Sequence, residues 1–365
     1  MFKTLLKTFL TFLGYRNQIF LPLPKPRGMY QIIKNILFLF DPEAIHRLVL
    51  VSLKAFRFIP FSSVLLRTFF MPKNKENSIE VFGLQFKNRV GLAAGFDKNA
   101  SHIDDLANFG FSFIEVGAIT PEAQKGNPKP RLFRLPKDKA LINRMGFNNK
   151  GVVNAIKNLK KRKSDIIVGA NLGKNTQTSN DKANDDYISL FKQLHKYVDY
   201  FTINVSCPNV KDLRSLQDED NLLELLSALK QINSRKRKPK PILLKISPDL
   251  TFEQLDETLE VIAKTKIDGI VAVNTTTSRT NLTYPAQKII NFGNGGLSGL
   301  PLKNRATEMI HYIHIKTEGK LPIIGVGGIF TKADAQEKFE AGATLIQVFT
   351  GFVYEGPSIV KNIVD

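Results

Sequence analysis

From residue 88 onward, short apolar runs rich in β-branched residues alternate with stretches of helical periodicity. Eight such runs stand out, at 90–96, 112–117, 166–172, 200–205, 241–246, 269–273, 322–326 and 344–349. Runs that are apolar throughout and separated by helices predict a parallel sheet covered on both faces. Eight of them predict an α/β fold of the closed (β/α)8 TIM-barrel class over about residues 88–356. Two connections, 118–165 and 275–321, are longer than a simple crossover requires. Barrels of this kind carry their chemistry in loops at the carboxyl ends of the strands.

The chain before residue 88 has a different pattern. Asp41-Pro42-Glu43 reads as an N-cap, a proline at the first helical position and an acid in the first turn. The helix it opens carries Ile45, Leu48, Val49, Ser52, Leu53 and Phe56 on one face at three-and-four spacing. Two readings stand side by side: a helix packed on a core, or a helix pair whose apolar side meets lipid or a lipid-like ligand. No apolar run approaches the roughly 18 to 20 residues of a spanning helix. Residues 1–13 combine a basic start with an apolar stretch, but no small-residue cleavage site follows and Pro22, Pro24 and Pro26 interrupt it. An organellar presequence and an upstream start ahead of Met29 both remain open.

Composition narrows the class. The 365 residues are 43% apolar and 23% charged, with 24 Gly and 18 Pro, which excludes a disordered, collagen-like or fibrous chain. A single cysteine, Cys207, excludes an internal disulfide and a zinc cluster. The net charge is +19, and residues 1–75 alone hold twelve bases against two acids. Basic and apolar together suit an anionic membrane surface. Phe without Trp, and scattered rather than clustered Lys, argue against nucleic acid.

The polar residues fall at the strand ends. Strand one runs into Ala94-Gly95-Phe96-Asp97-Lys98-Asn99, the third into Asn171, the fourth into Asn204 through Asn209, and the sixth into Asn274-Thr275. Lys245 stands within the fifth, Gly327-Gly328 follow the seventh, and Thr350-Gly351 end the eighth. So many amides, lysines and glycines on one rim predict a binding site. Glycine loops after strands seven and eight suit a phosphate. Lys245 in an apolar strand needs an anion or an electron-rich cofactor atom, the alternative being a lysine that snorkels to the barrel end. No metal-ligand spacing is visible, and the histidines at 46, 102, 195, 311 and 314 lie away from the rim, leaving no base for a serine hydrolase. Cys207 is then the candidate proton acceptor, against the alternative of a small buried hydrophobe.

From Met29 to the C-terminus the chain resembles the dihydroorotate dehydrogenases. The motifs are GLAAGFDKNA, EVGAITP, GNPKPRLFRL, LINRMGFNN, ANLGKN, NVSCPN, VNTTTSR, GGLSG, PIIGVGGI and VFTGF. The basic N-terminal helices, DPEAIHRLVL and the INRMGFNN loop resemble the quinone-using, membrane-associated class (class 2). That favours the lipid-facing reading, and the chain divides into a leader or upstream extension that the working protein could dispense with (1–28), a helical quinone and membrane segment (29–75) and an FMN-binding barrel (76–365).

The resemblance implies oxidation of dihydroorotate to orotate in pyrimidine biosynthesis, with one FMN per chain and a membrane quinone as final acceptor. A soluble acceptor such as fumarate is the alternative. It implies a monomer attached peripherally to an anionic membrane, the bacterial inner or the mitochondrial inner membrane. Flavin contacts would come from Ala94, Gly95, Phe96, Asp97, Lys98, Asn171, Asn204, Lys245, Gly299, Gly328, Thr350 and Gly351. Ala118 and Val273 stand where the family often has a hydroxyl. Substrate contacts would come from Lys98, Asn143, Arg144, Met145, Gly146, Phe147, Asn204, Asn209, Asn274 and Thr275. His46 and Arg134 match the quinone tunnel, where Phe349 replaces a frequent Tyr. Cys207 and Lys245 would be catalytic. Quinone-using members usually carry Ser immediately before the Pro, so NVSCPN departs from its class at the base.

Overall fold

The computed structural model describes residues 26–74, 78–209, 218–280 and 282–365. Residues 1–25 of the leader expected from the sequence lie outside it. Three helices come first: α1 (Pro26–Leu37), α2 (Pro42–Phe56) and α3 (Ser62–Phe70). The N-terminus of α2 forms as its sequence dictates, with the Asp41 side chain accepting from Ala44 N at 2.8 Å and Pro42 in the first turn.

Two short antiparallel strands, β1 (Ile79–Val81) and β2 (Leu84–Phe86), lead into the barrel. Its eight parallel strands are β3 (Val90–Leu92), β4 (Phe113–Ile119), β7 (Ile167–Leu172), β8 (Tyr200–Asn204), β9 (Ile242–Lys245), β10 (Gly269–Ala272), β12 (Ile323–Val326) and β13 (Leu345–Val348). They pair in that order, and β13 closes on β3. Helices on the outside, among them α10 (Lys303–Lys316), cover the apolar outer faces of the strands. All eight strands fall within the sequence-predicted runs or a residue or two beyond them. The runs at 90–96 and 344–349 end earlier as strands, because the chain leaves the ladder where the rim begins.

The floor of the barrel is filled from inside. Phe113, Tyr200, Leu243, Val271, Ile324 and Leu345 meet Val81 and Phe86 of the β1–β2 hairpin, which plugs the amino-terminal end. Gly91 and Gly169 make room for the rings: a Cβ on either would fall 2.3 Å from Phe113 or 2.1 Å from Tyr200. Burying each such large side chain contributes about 1.5–3 kcal/mol.

The two long connections have a common purpose. The first carries β5 (Leu132–Leu135) and β6 (Ala140–Asn143), the second β11 (Gly296–Gly299), and the three make one antiparallel sheet in the order β11-β6-β5. It stands over the carboxyl end of the barrel and is the surface on which α2 is anchored. Arg131, just before β5, forms a two-pronged pair with Glu43 of α2, Nε to Oε2 at 3.1 Å and an amino nitrogen to Oε1 at 2.8 Å. The same guanidinium donates to the carbonyls of Lys125 and Asn127, so loop and helix are tied by one side chain.

Of the predicted apolar stripe on α2, Ile45, Val49 and Leu53 line the cavity described below, and the rest of the stripe is divided. Leu50 is the buried residue and Leu53 and Phe56 are half-buried, whereas Leu48 and Ser52 face outward. The reason is that α2 is apolar on more than one side, so periodicity alone does not select the face that packs. Its partners are exposed in the same way: Leu39 is 81%, Phe58 79% and Phe61 84% exposed. No helix among the described residues is long and apolar enough to cross a membrane.

Candidate active site

The loops at the carboxyl ends of the strands, the three-stranded sheet and helices α1 and α2 enclose a cavity of about 520 Å³. Of the residues singled out from the sequence, all but Asp97 and Arg144 line it. Its inner end is polar and lies on the barrel, and its outer end is apolar and lies between the helices.

The inner end is built on a hydrogen-bonded row. Glu115 of β4, fully buried, accepts from Asn171 Nδ2 at 2.8 Å, Thr202 Oγ1 at 3.0 Å, Gln347 Nε2 at 2.9 Å and Tyr200 OH at 3.3 Å. Asn171 Oδ1 then accepts from Asn204 Nδ2 at 2.9 Å, and Asn204 Oδ1 from Asn274 Nδ2 at 3.2 Å. Asn274 Nδ2 also reaches Ser206 Oγ at 3.0 Å, beside Cys207. The network draws Glu115 from β4, Asn171 from β7, Tyr200, Thr202 and Asn204 from β8, Gln347 from β13, and Asn274 from just beyond β10.

Two ammonium groups face this row. Lys98 is pushed down to about 8 by burial, with the thiol of Cys207 acting in the opposite direction. Burial lowers Lys245 as well, opposed by Glu115 and then by Cys207. Cys207, buried at 8% exposure, therefore stands within the field of both lysines. Across the cavity, Asn209 Nδ2 donates to Asn143 Oδ1 at 2.9 Å, while its own buried Oδ1 has no partner. Gln347 Oε1 is also buried without a partner.

These groups suit a large planar ligand with amide and carbonyl edges and a phosphate. Lysines supply positive charge, unpaired side-chain oxygens accept, and Gly327, Gly328 and Gly351 keep the backbone accessible. No side chain could replace two of the glycines: a Cβ on Gly328 would lie 2.4 Å from Lys303 Cβ, and one on Gly351 2.0 Å from the Ile329 carbonyl oxygen. The site thus suits a flavin on its own chemistry.

At the outer end His46 Nε2 lies 2.9 Å from the Phe96 carbonyl oxygen, and the two rings meet edge to face. A carbonyl only accepts, so Nε2 carries the hydrogen and Nδ1 is left as an acceptor. Burial lowers His46 to about 4, which keeps the ring neutral at pH 7. The unfolded chain then takes up a proton at this residue below its ordinary value near 6.5 that the folded chain refuses until about 4. Stability contributed by the neutral ring is complete above pH 6.5 and falls across that window, by at most about 3 kcal/mol. Thermal unfolding of wild type and His46→Gln between pH 7 and 4.5 should show a steeper loss in wild type; parallel curves would refute the assignment. Arg134 donates to the Phe40 carbonyl at 2.7 Å and lies over the Phe38 ring, so it pins the turn between α1 and α2.

Two sequence expectations need correction. Asp97 does not line the cavity: its carboxylate accepts from Ser101 N at 2.9 Å and His102 N at 2.7 Å, bracing the loop that leads into the next helix. Arg144 turns outward, donating to the Pro130 carbonyl and covering the Phe133 ring, and these partners hold its guanidinium on the outer wall. His46 belongs to the cavity, although strand-end spacing alone placed every histidine away from it. Glu115, Thr202 and Gln347 were not singled out at all. The available signal was an acid and an amide standing alone within apolar strands.

Comparison with known proteins followed the same outline. The family model of dihydroorotate dehydrogenase matches residues 77–365. A dihydroorotate dehydrogenase (quinone) of Christiangramia forsetii is 50% identical over 336 residues, 92% of this chain and 97% of that protein. Those of Saccharophagus degradans and Coxiella burnetii are 44% and 45% identical over 342 residues, again 92% of this chain. Among solved structures, the Eimeria tenella enzyme in complex with ferulenol superposes with a TM-score of 0.80 at 35% identity, covering 89% of this chain and 90% of that one.

Proposed function

We propose a division of labour for this cavity from the premise that the chain belongs to the dihydroorotate dehydrogenase family, in its quinone-using branch. The reaction is the oxidation of dihydroorotate to orotate with a quinone as electron acceptor. The cofactor is FMN, one per chain, held at the inner end. The observation that carries this reading is the single cavity that joins a polar, lysine-bearing barrel rim to an apolar passage between α1 and α2. Bound there, FMN would supply a two-electron acceptor for the hydride at C6 of the substrate and a relay to quinone.

The chain's own residues do the rest. Backbone N–H groups of Gly328, Thr350 and Gly351 take the phosphate, and Ala94, Gly95, Phe96, Asn171, Asn204 and Gly299 seat the ring. Ala118 and Val273 add apolar surface without a hydroxyl. Lys98 pairs with the substrate carboxylate, while Asn143, Asn209, Asn274 and Thr275 read the ring amides and carbonyls and Met145, Gly146 and Phe147 exclude water. Cys207 Sγ receives the proton from C5, and Lys245 supplies positive charge to the flavin edge where negative charge collects. Of the residues expected at these ligands, Asp97 supports the loop and Arg144 the outer wall.

Residues 29–75 admit the quinone and attach the molecule. Exposed Leu39, Phe58 and Phe61 beside Arg47, Lys54 and Arg57 form the apolar and basic surface that suits anionic lipid. Residues 76–365 form the FMN-binding barrel, and the working unit is one chain, peripheral to a bacterial or mitochondrial inner membrane. The purified protein should absorb near 450 nm, sediment with anionic but not neutral vesicles, and turn over with vesicle-embedded quinone rather than fumarate. A colourless protein, or equal turnover with fumarate, would sink this reading.

A further inference from the structure

Glu115 has no place in the chemistry above, yet it is the most heavily bonded side chain beneath the cavity. Four donors from three other strands converge on it: Asn171 of β7, Tyr200 and Thr202 of β8, and Gln347 of β13. Among them, Asn171 and Gln347 also line the cavity.

A carboxylate accepts, whereas an amide both donates and accepts, and this difference has a consequence along the row. Because Glu115 accepts, Asn171 must present its Nδ2 inward, which leaves its Oδ1 for Asn204 Nδ2. Asn204 Oδ1 is thereby left for Asn274 Nδ2. Gln347 is fixed in the same way: its Nε2 is spent on Glu115, so the unpartnered Oε1 is an acceptor. Without an acceptor at the root, each amide could turn over at little cost. Glu115 is also the anion that opposes the loss of the Lys245 charge on burial.

We infer that Glu115 is a positioning residue: its four-fold accepted carboxylate fixes which atom of Asn171, Asn204, Asn274 and Gln347 donates, and balances the ammonium of Lys245. The cavity then meets the isoalloxazine edge with one arrangement of donors and acceptors. This rests on the flavin reading above.

The test uses the full-length protein, stripped of flavin and titrated with FMN by fluorescence, and the midpoint potential of the reloaded protein. Glu115→Gln keeps the shape and removes the obligate acceptor. It should weaken FMN binding at least tenfold and move the potential to more positive values, since a buried negative charge near the reduced ring is gone. Glu115→Asp keeps the charge and leaves a gap; it should bind FMN more tightly than E115Q and keep the wild-type potential. A merely structural role ranks the two in reverse, because glutamine is the better filler. Should E115Q not accumulate folded, Thr202→Val removes one of the four donors without touching the cavity. Weaker FMN binding by T202V then supports the inference, and wild-type binding with a lowered melting temperature overturns it. E115Q with wild-type affinity and potential, or E115D no better than E115Q, overturns it as well. Wild-type protein that binds no FMN defeats the flavin reading instead.

Discussion

Cys207→Ala should slow the reduction of bound flavin by dihydroorotate about 10²–10⁴-fold, the range lost with a general base. Reoxidation by quinone should continue at the wild-type rate, because the proposed function brings quinone in at the outer end of the cavity and assigns the thiol to the substrate. The neighbouring hydroxyl does not substitute: Ser206 is fully buried, accepts from Asn274 Nδ2 and does not line the cavity. Cys207→Ser places an alcohol at the same position. Its intrinsic pKa lies far above the thiol's reference value of about 8.5. The variant should therefore retain activity, reduced at pH 7, with the rising limb of its pH profile displaced upward. Stopped-flow absorbance at 450 nm in single-turnover mode separates the half-reactions. Lys98 is the other group at this end able to take a proton near neutrality, since burial holds it at about 8. Unchanged reduction in C207A together with a collapse in Lys98→Met would move the base from the thiol to the amine.

The barrel was legible because its strands are buried on both faces, so continuous apolar runs mark them irrespective of their neighbours. The sheet formed by β5, β6 and β11 was not. Arg131-Leu132-Phe133-Arg134 and Gly296-Leu297-Ser298 are short and flanked by Gly and Pro, and their partners lie 153 residues apart across Asn143 and Gly296. The strand-end residues share one cavity, since strand ends in a closed barrel must converge. Direction was harder to read. Asp97 and Arg144 sit in motifs whose other members face the cavity, yet the loop after Asp97 and the outer wall claim their side chains. Glu115 escaped notice for the opposite reason. Its importance comes from donors on β7, β8 and β13, the furthest 232 residues away, and none of that is visible in EVGAI.

Replacing Lys245 should have an effect comparable to that at Cys207 but with a different signature. Lys245→Met preserves length and apolar stem while removing the ammonium from the fully buried end of β9. Flavin reduction should fall about 10²–10³-fold, the range associated with losing one fixed group that stabilises developing charge. The loss should be nearly independent of pH between 6 and 9, because the proton acceptor is intact, whereas C207S shifts the profile. The midpoint potential of the flavin should move to more negative values, since the reduced ring loses its facing cation while Glu115 remains. Combining K245M with E115Q removes both charges, and the potential should return toward wild type although the rate does not. Restoring only the balance of charge does not restore a donor at the ring. Spectroelectrochemical titration of the two single variants and the double variant reads this directly. Additive shifts of the same sign would show that the two charges do not oppose one another across the floor of the cavity.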